Sequence, residues 1–298
     1  MADEQDEKNQ TALHLAAGDG HDKVVQQLLE KGVKIDVEDG EGRTALHLAA
    51  GDAHDKVVQR LLEVGARTDA RDRRGRTAFH MAAEYGHEGV IQQLLKYAVE
   101  TDAEDGEGRT ALYSAAELGR DGIIPQLLEN GVQPSDRAGE KVLELVRKKV
   151  KPKGRSSTLQ EIGDGERILR LMFEKDTKRH VDVNTEEGLR ILRWTAERHY
   201  EKTRWEIAEQ VAKLLVGHGA KANSLVPSQR SGEQTTILQF AASSARTSVM
   251  RVLLGADDVV SGGETVLAPL IKEHEEEDGR PEMLRLLRQS LDSRRHGP

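Results

Sequence analysis

The chain has 298 residues, of which 32% are charged and 3% aromatic, with a formal net charge of −8. It contains no cysteine, which excludes disulfides, thiolate metal sites and cysteine nucleophiles together. Residues 1–135 carry 15 Lys and Arg against 26 Asp and Glu, a net of −11 that leaves +3 for the rest, so the first half lacks the clustered basic charge that duplex nucleic acid requires.

The chain opens MADEQDEKNQ, acidic where a signal peptide would be basic and then apolar, and no later stretch approaches the roughly 18 apolar residues of a membrane span. A disordered acidic terminus is expected over residues 1–8, in a protein of the cytoplasm that makes no membrane contact.

From there the sequence repeats itself. EDGEGRTAL occurs at Glu38–Leu46 and again at Glu104–Leu112, RRGRTAF lies midway at Arg73–Phe79, and Thr11, Thr44, Thr77 and Thr110 follow one another at intervals of 33. A fixed period of this size marks a repeat architecture, in which each unit buries its apolar face only against its neighbours. In the second unit Thr44 suits a helix N-cap, and Leu46, Leu48, Ala49 and Ala50 mark a short, thin helix. After a break at Gly51–His54, Val57, Val58, Leu61 and Leu62 give a second apolar face that ends at Gly65, a left-handed cap. The unit is helix, turn, helix and extended tip, with Gly40, Gly42, Gly106 and Gly108 allowing the backbone angles of the tip.

TALHLAAGDGHDKVVQQLLEKG, TALHLAAGDAHDKVVQRLLEVG and TAFHMAAEYGHEGVIQQLLKYA resemble ankyrin repeats, with alanine at Ala12, Ala45, Ala78 and Ala111 where that family prefers proline. The resemblance covers residues 9–133. It implies that His14, His47 and His80 tie the tip to the helix start by hydrogen bonds, with Tyr113 in that place in the fourth repeat, and that His21, His54 and His87 are structural. It also implies that Arg43, Arg76 and Arg109, with Asp52, Glu84, Tyr85, Glu117 and Leu118, face a concave groove where partners bind. The plainer alternative for the arginines is a solvated pair with Asp39, Asp72 or Asp105.

Beyond residue 134 the template recurs in degraded form. KVLELV (141–146) with ERILRLMFEK (166–175), RILRWTA (190–196) with EIAEQVAKLLVGHGAKAN (206–223), TILQFAA (236–242) with VMRVLLGAD (249–257), and ETVLAPLI (264–271) with MLRLLRQSL (283–291) overlay it in turn. The expected fold is an all-α ankyrin-repeat solenoid of seven or eight helix-turn-helix repeats with β-turn fingertips. Four regular repeats over 9–135 are followed by degenerate ones over 136–291, two of them enlarged by insertions, and by a disordered tail at 292–298. Insertions in repeat proteins emerge as loops, often on the binding face.

Two features fall in the enlarged part. The basic run of Arg147, Lys148, Lys149, Lys151, Lys153 and Arg155 contains KKVK, similar to a short nuclear-import signal, and also suits an acidic partner; otherwise it is a solvated loop. Trp194, Glu197, His199, Tyr200 and Trp205 form an aromatic cluster; Trp194 overlays a core leucine, whereas the others are candidates for a pocket wall. No G-x-S-x-G, H-E-x-x-H, Walker or dinucleotide motif is present, and no metal or cofactor is expected. The leading function is therefore a protein-protein interaction module, monomeric or homodimeric. The alternative is a cofactor-free isomerase or cyclase acting on a small molecule, with His180, Asp182, His199 and Tyr200 as acid and base candidates. An enzyme should enclose a concavity of roughly 300 Å³ or more with convergent polar groups, whereas a binding module should present an open groove.

Overall fold

A computed structural model describes residues 4–97, 99–150, 158–176, 181–196, 202–227, 234–243, 247–262, 264–276 and 281–295. Among them are seventeen helices and a single two-stranded ribbon, so the fold is all-α. The chain divides into two compact units, Met1–Lys141 and Val142–Pro298.

In the first unit the helices come in pairs: α1 (Ala12–Gly18) with α2 (Asp22–Glu30), α3 (Ala45–Gly51) with α4 (Asp55–Glu63), α5 (Ala78–Tyr85) with α6 (Glu88–Leu95), and α7 (Ala111–Glu117) with α8 (Ile123–Glu129). The inner helices α1, α3, α5 and α7 stack in sequence, and the outer α2, α4 and α6 do likewise. Ala49, Ala50, Ala82, Ala83 and Ala115 are fully buried, because only methyl-sized side chains let neighbouring inner helices approach so closely. Gly65 ends α4 as expected, at φ +87°, with its own N–H on the Leu62 carbonyl and the Ala66 N–H on that of Leu61. Pro125 is the third residue of α8, inside the first turn, where its missing N–H has no partner to lose.

A fingertip precedes each inner helix, and the first reaches back into the segment expected to be disordered. Asp6 takes the Lys8 and Gln10 N–H groups on Oδ1 at 2.8 Å each, as Asp39 takes those of Glu41 and Arg43 at 2.8 and 2.9 Å. Asn9, Gly42, Gly75 and Gly108 are left-handed in these turns, at φ +57°, +75°, +76° and +70°. Gly40 and Gly106 were expected to need such angles and do not. They sit instead where an added Cβ would come within 2.9 Å of the Lys8 carbonyl oxygen and 2.8 Å of that of Arg74.

Three ladders join the layers. Along the tips, the N–H groups of Gly40, Arg73 and Gly106 donate to the carbonyls of Lys8, Glu41 and Arg74. At the helix starts, Nε2 of His14, His47 and His80 reaches the next repeat's Arg43, Arg76 and Arg109 carbonyls at 3.0, 3.0 and 3.1 Å. In the inter-helix turns, Nε2 of His54 and His87 reaches the Gly18 and Gly51 carbonyls of the preceding repeat, both at 2.8 Å. The fourth repeat changes the chemistry of each: Arg120 replaces the turn histidine on the Glu84 carbonyl, Tyr113 replaces the helix histidine, and the Arg137 guanidinium takes the carbonyls of Glu107 and Gly108.

One position departs from its column. Gly20, Gly86 and Gly119 are left-handed, and Ala53 stands in the same place at φ +63°. An L-residue pays roughly 1–2 kcal/mol for that conformation, part of which is returned by its lower unfolded-state entropy. Ala53→Gly should therefore raise the unfolding free energy by about 0.5–1 kcal/mol, measured from urea midpoints; a decrease would show the strain to be relieved elsewhere.

The second unit is built from α9 (Asp136–Val150), most of which belongs to it, α10 (Leu159–Lys175), α11 (Glu186–Ala196), α12 (Lys202–Gly217), α13 (Ile237–Ser243), α14 (Thr247–Leu253), α15 (Asp257–Gly262), α16 (Glu264–Glu276) and α17 (Pro281–Arg295), with the ribbon of β1 (Leu225–Pro227) and β2 (Gln234–Thr236). Of the four overlaid pairs, three pack as pairs: α11 on α12, α13 on α14 and α16 on α17, while α12 also packs on α10 and α14. Thr236 and Gln239 repeat the threonine-histidine box, with the Thr236 N–H on the Gln239 amide oxygen and the Gln239 N–H on the Thr236 hydroxyl.

Several boundaries move. The expected loop after Val146 begins as helix, since α9 continues to Val150 and α10 starts at Leu159, capped reciprocally by Thr158 and Glu161. Much of the added length thus extends helices, because Lys, Arg, Glu and Leu are good helix formers and basic residues favour a helix C-terminus. The antiparallel ribbon pairs Leu225 with Thr236 and was not foreseen. The expected tail at 292–298 is helical through Arg295, and its remaining residues lie outside those described.

Candidate functional site

The fingertip arginines owe their place to the turn beneath them. Nε of Arg43, Arg76 and Arg109 donates to Oδ2 of Asp39, Asp72 and Asp105 at 3.0, 3.0 and 2.9 Å, while the Oδ1 atoms hold the turn N–H groups. These carboxylates are buried, so the pairs differ from the solvated ones that sequence allowed. Burial alone would raise the Asp39 and Asp105 carboxyls, but the hydrogen bonds from Arg43 and Glu41, and from Arg109 and Glu107, hold both below the ordinary carboxylate value. Arg76 carries a second partner, Glu84 Oε2 at 2.7 Å. The arginines are thus fixed cations along one edge of the unit.

The histidine beneath each tip has its tautomer set by its neighbours. The Thr44 and Thr77 N–H groups donate to Nδ1 of His47 and His80 at 3.1 and 3.3 Å, which leaves the proton on Nε2 to donate to the next repeat. Burial lowers the pKa of both rings, against the raising effect of the Arg76 and Arg109 carbonyls. Unfolded histidine takes its proton near pH 6.5, so the unfolded state binds protons first and stability is lost as pH falls from there towards the lower folded values. Replacing His47 and His80 by glutamine, which serves in the equivalent box at Gln239, should flatten the pH dependence of the urea midpoint between about pH 7.5 and 5. An unchanged slope would place that proton uptake elsewhere.

Beside the arginines lies the column Asp52, Tyr85 and Leu118, at the C-terminal ends of α3, α5 and α7. Asp52 is exposed, and Tyr85 and Leu118 are each 47% exposed. The Tyr85 ring stacks on His87 at 5.9 Å between centroids, which orders it without covering it. Glu84 is held by Arg76, and Glu117 accepts from the Tyr113 hydroxyl at 3.2 Å and pairs with Lys141 at 3.7 Å. Lys141 and Arg137 also lie over the Tyr113 ring, 5.8 and 5.3 Å from its centre. This cationic clasp on the fourth repeat escaped the sequence reading; its signal was the tyrosine in a histidine column.

The candidates of the second unit do not converge among the described residues. Trp194 is 4% exposed, in the core as its leucine position implied, whereas Trp205 lies in α12, not in an inserted loop, and is 42% exposed. Its indole N–H donates to the Ser248 hydroxyl at 3.0 Å. Asp182 accepts the Asn184 N–H at 2.8 Å as a turn residue. His180, Glu197, His199 and Tyr200 lie outside the described residues, as do Lys151, Lys153 and Arg155. Of the basic run, Arg147, Lys148 and Lys149 form the last turn of α9; Arg147 pairs with Glu187, and Lys148 with Glu144 at 2.8 Å.

Among the described residues of this unit, two depressions exceed the volume set for an enzyme, but both are open rather than enclosed. One, of about 670 Å³, runs along α17 past Leu284, Arg285, Arg288 and Asp292. The other, of about 380 Å³, lies between α10 and α12, lined by Glu166, Arg170, Glu206, Ile207, Gln210 and Leu214. Neither includes Trp194, Trp205 or Asp182. Sequence reasoning also missed Arg193, buried over the Phe240 ring at 4.7 Å; the overlay of RILRWTA on TALHLAA had placed it in the histidine column. Among the described residues no group of three or more His, Cys, Asp or Glu could hold a metal ion, and no helix is long and apolar enough to cross a membrane.

No curated protein matches the chain. The family model for ankyrin repeats (3 copies) matches residues 1–72 and 53–138, the stretch whose histidine ladders and aspartate-held tips are described above. Residues 1–138 thus form ankyrin repeats, and the fold class of the described residues is all-α.

Proposed function

We propose that the chain is a protein-protein interaction module whose groove and fingertips in residues 9–135 receive a protein partner. Ankyrin repeats generally serve such interactions. The observation that carries the reading to this face is the pair Tyr85 and Leu118, half-exposed at equivalent positions of adjacent repeats and flanked by the fixed arginines of the tips. Large apolar side chains ringed by ordered charge are what binding hot spots use. Neither depression of the second unit is lined by the acid and base candidates of the isomerase or cyclase reading. The chain's composition supports a cytoplasmic setting, with the basic run at 147–155 offering a route to the nucleus.

The double variant Tyr85→Ala, Leu118→Ala tests the proposal. Both side chains are already half in water, so the unfolding midpoint should move little, whereas proteins captured from a cell extract by the wild-type chain should be lost, each truncation costing about 1–2 kcal/mol of binding. An identical captured set would remove the groove from the proposal.

A further inference from the structure

The fingertips share one backbone and differ in charge. Aligned at the period of 33, residues 1–10, 34–43 and 100–109 carry net charges of −3, −2 and −4 and residues 133–142 carry none, whereas 67–76 hold five arginines against two aspartates, a net of +3. The reversal falls at three positions. Arg71, Arg73 and Arg74 stand where the tip before has Glu38, Gly40 and Glu41 and the tip after has Glu104, Gly106 and Glu107. The turn does not require them, since Asp72 takes the N–H groups of Arg74 and Arg76 as Asp39 takes those of Glu41 and Arg43. Nor does packing, because Gly40 and Gly106 sit where a Cβ crowds the preceding tip. The five arginines are not equivalent. Arg67 pairs with Asp69, Arg76 with Asp72 and Glu84, and the Arg71 guanidinium donates to the carbonyls of Gly75 and Glu104. Arg73 and Arg74 are exposed at the apex, and among the described residues neither guanidinium makes a hydrogen bond or ion pair, with the exposed Glu41 and Glu104 of the adjacent tips included.

We infer that the apex of the third fingertip receives a phosphorylated serine or threonine of the protein partner, flanked on the partner's own chain by basic residues. This rests on the reading that the fingertips take part in binding a protein. Consecutive Cα atoms are about 3.8 Å apart, so Arg73 and Arg74 place two unneutralised guanidinium groups within reach of one ligand group. A phosphomonoester answers both, with a charge of about −1.5 to −2 and three acceptor oxygens that suit the guanidinium fork. A single carboxylate carries half that charge.

The tips on either side decide against a longer anion. A run of carboxylates, or a nucleic acid strand with a phosphate at every nucleotide, would extend its charge over tips of net −2 and −4 and be repelled there. The ligand must therefore concentrate its negative charge at one residue and carry cations beyond it. Neighbouring layers are roughly 10 Å apart, and a polyproline II segment advances about 9 Å in the three residues that return a side chain to the same side. The basic residues of the partner then fall three positions before and three positions after the phosphorylated one.

The test is fluorescence anisotropy of a labelled nine-residue peptide, with a central phosphoserine, lysine three positions to either side and proline between, titrated with the full chain to about 0.5 mM. Saturable binding is expected, weakened at least about tenfold by Arg73→Gln with Arg74→Gln, by serine or glutamate in place of the phosphoserine, and by glutamate in place of the two lysines. The arginine variant should keep the wild-type unfolding midpoint, since neither guanidinium holds another group. Tyr85→Ala with Leu118→Ala should leave the peptide's affinity unchanged, which separates this site from the groove. No saturable binding, an affinity indifferent to the two glutamines or to the phosphate, or displacement of the peptide by an equal concentration of a single-stranded oligonucleotide would each overturn the inference. If proteins captured from an extract still depended on Tyr85 and Leu118, the groove reading would survive that result and this one alone would fall.

Discussion

Asp72→Ala should lower the unfolding free energy by about 3–5 kcal/mol, the cost of breaking a buried ion pair by removing one partner. The carboxylate it removes accepts the Arg74 and Arg76 N–H groups at 2.9 and 2.8 Å and the Arg76 guanidinium at 2.8 Å, in a site where it is 3% exposed. Its loss leaves two turn donors without acceptors and a largely buried guanidinium with Glu84 alone. Asp72→Asn keeps a carbonyl oxygen for the turn and should lose clearly less. Equal losses in the two variants, measured by urea denaturation, would mean that the charge and not the turn holds the fingertip.

A loss of similar size is expected for Trp194→Ala, about 3–5 kcal/mol for emptying a large aromatic site in the core. Trp205→Ala should cost much less, since that ring is 42% exposed and its indole makes a surface hydrogen bond to Ser248. The two tryptophans thus separate packing from surface. A Trp205 variant less stable than the Trp194 variant would invert the assignment of α11 to the core and of the start of α12 to the surface.

The regular repeats were legible because each rule that builds them acts within a few residues and recurs in phase. Thr44 caps, His47 answers three residues later, and Gly65 closes the helix pair; none depends on a distant partner. The enlarged repeats were less legible for the converse reason. Overlaying a short template assigns whatever exceeds it to loops, so Arg147–Val150 and Leu159–Gly165 were expected as insertion when they extend α9 and α10. Thr158 and Glu161, spaced as a reciprocal cap, were the local signal for the start of α10. The β1–β2 ribbon gave none, because three-residue strands are too short for an alternation to register. At the fingertips, the repeat spacing located Arg76 but not its coordination: that Asp72 is buried depends on the layers stacked around it, which the turn's own sequence does not encode.

The ladders also bear on how a chain of this kind changes length. Each repeat offers the same donors to the layer on one side and the same acceptors to the layer on the other, so removing residues 42–74 would splice EDGE to GRTAF and restore every type of junction. Genetic exchange between the near-identical segments at 38–46 and 104–112 can therefore shorten or lengthen the array in steps of whole repeats without creating a mismatched joint. At the fourth repeat that freedom stops. Arg120, Tyr113 and Arg137 answer the carbonyls and rings of particular neighbours, so a repeat inserted beyond them would meet side chains fitted to something else.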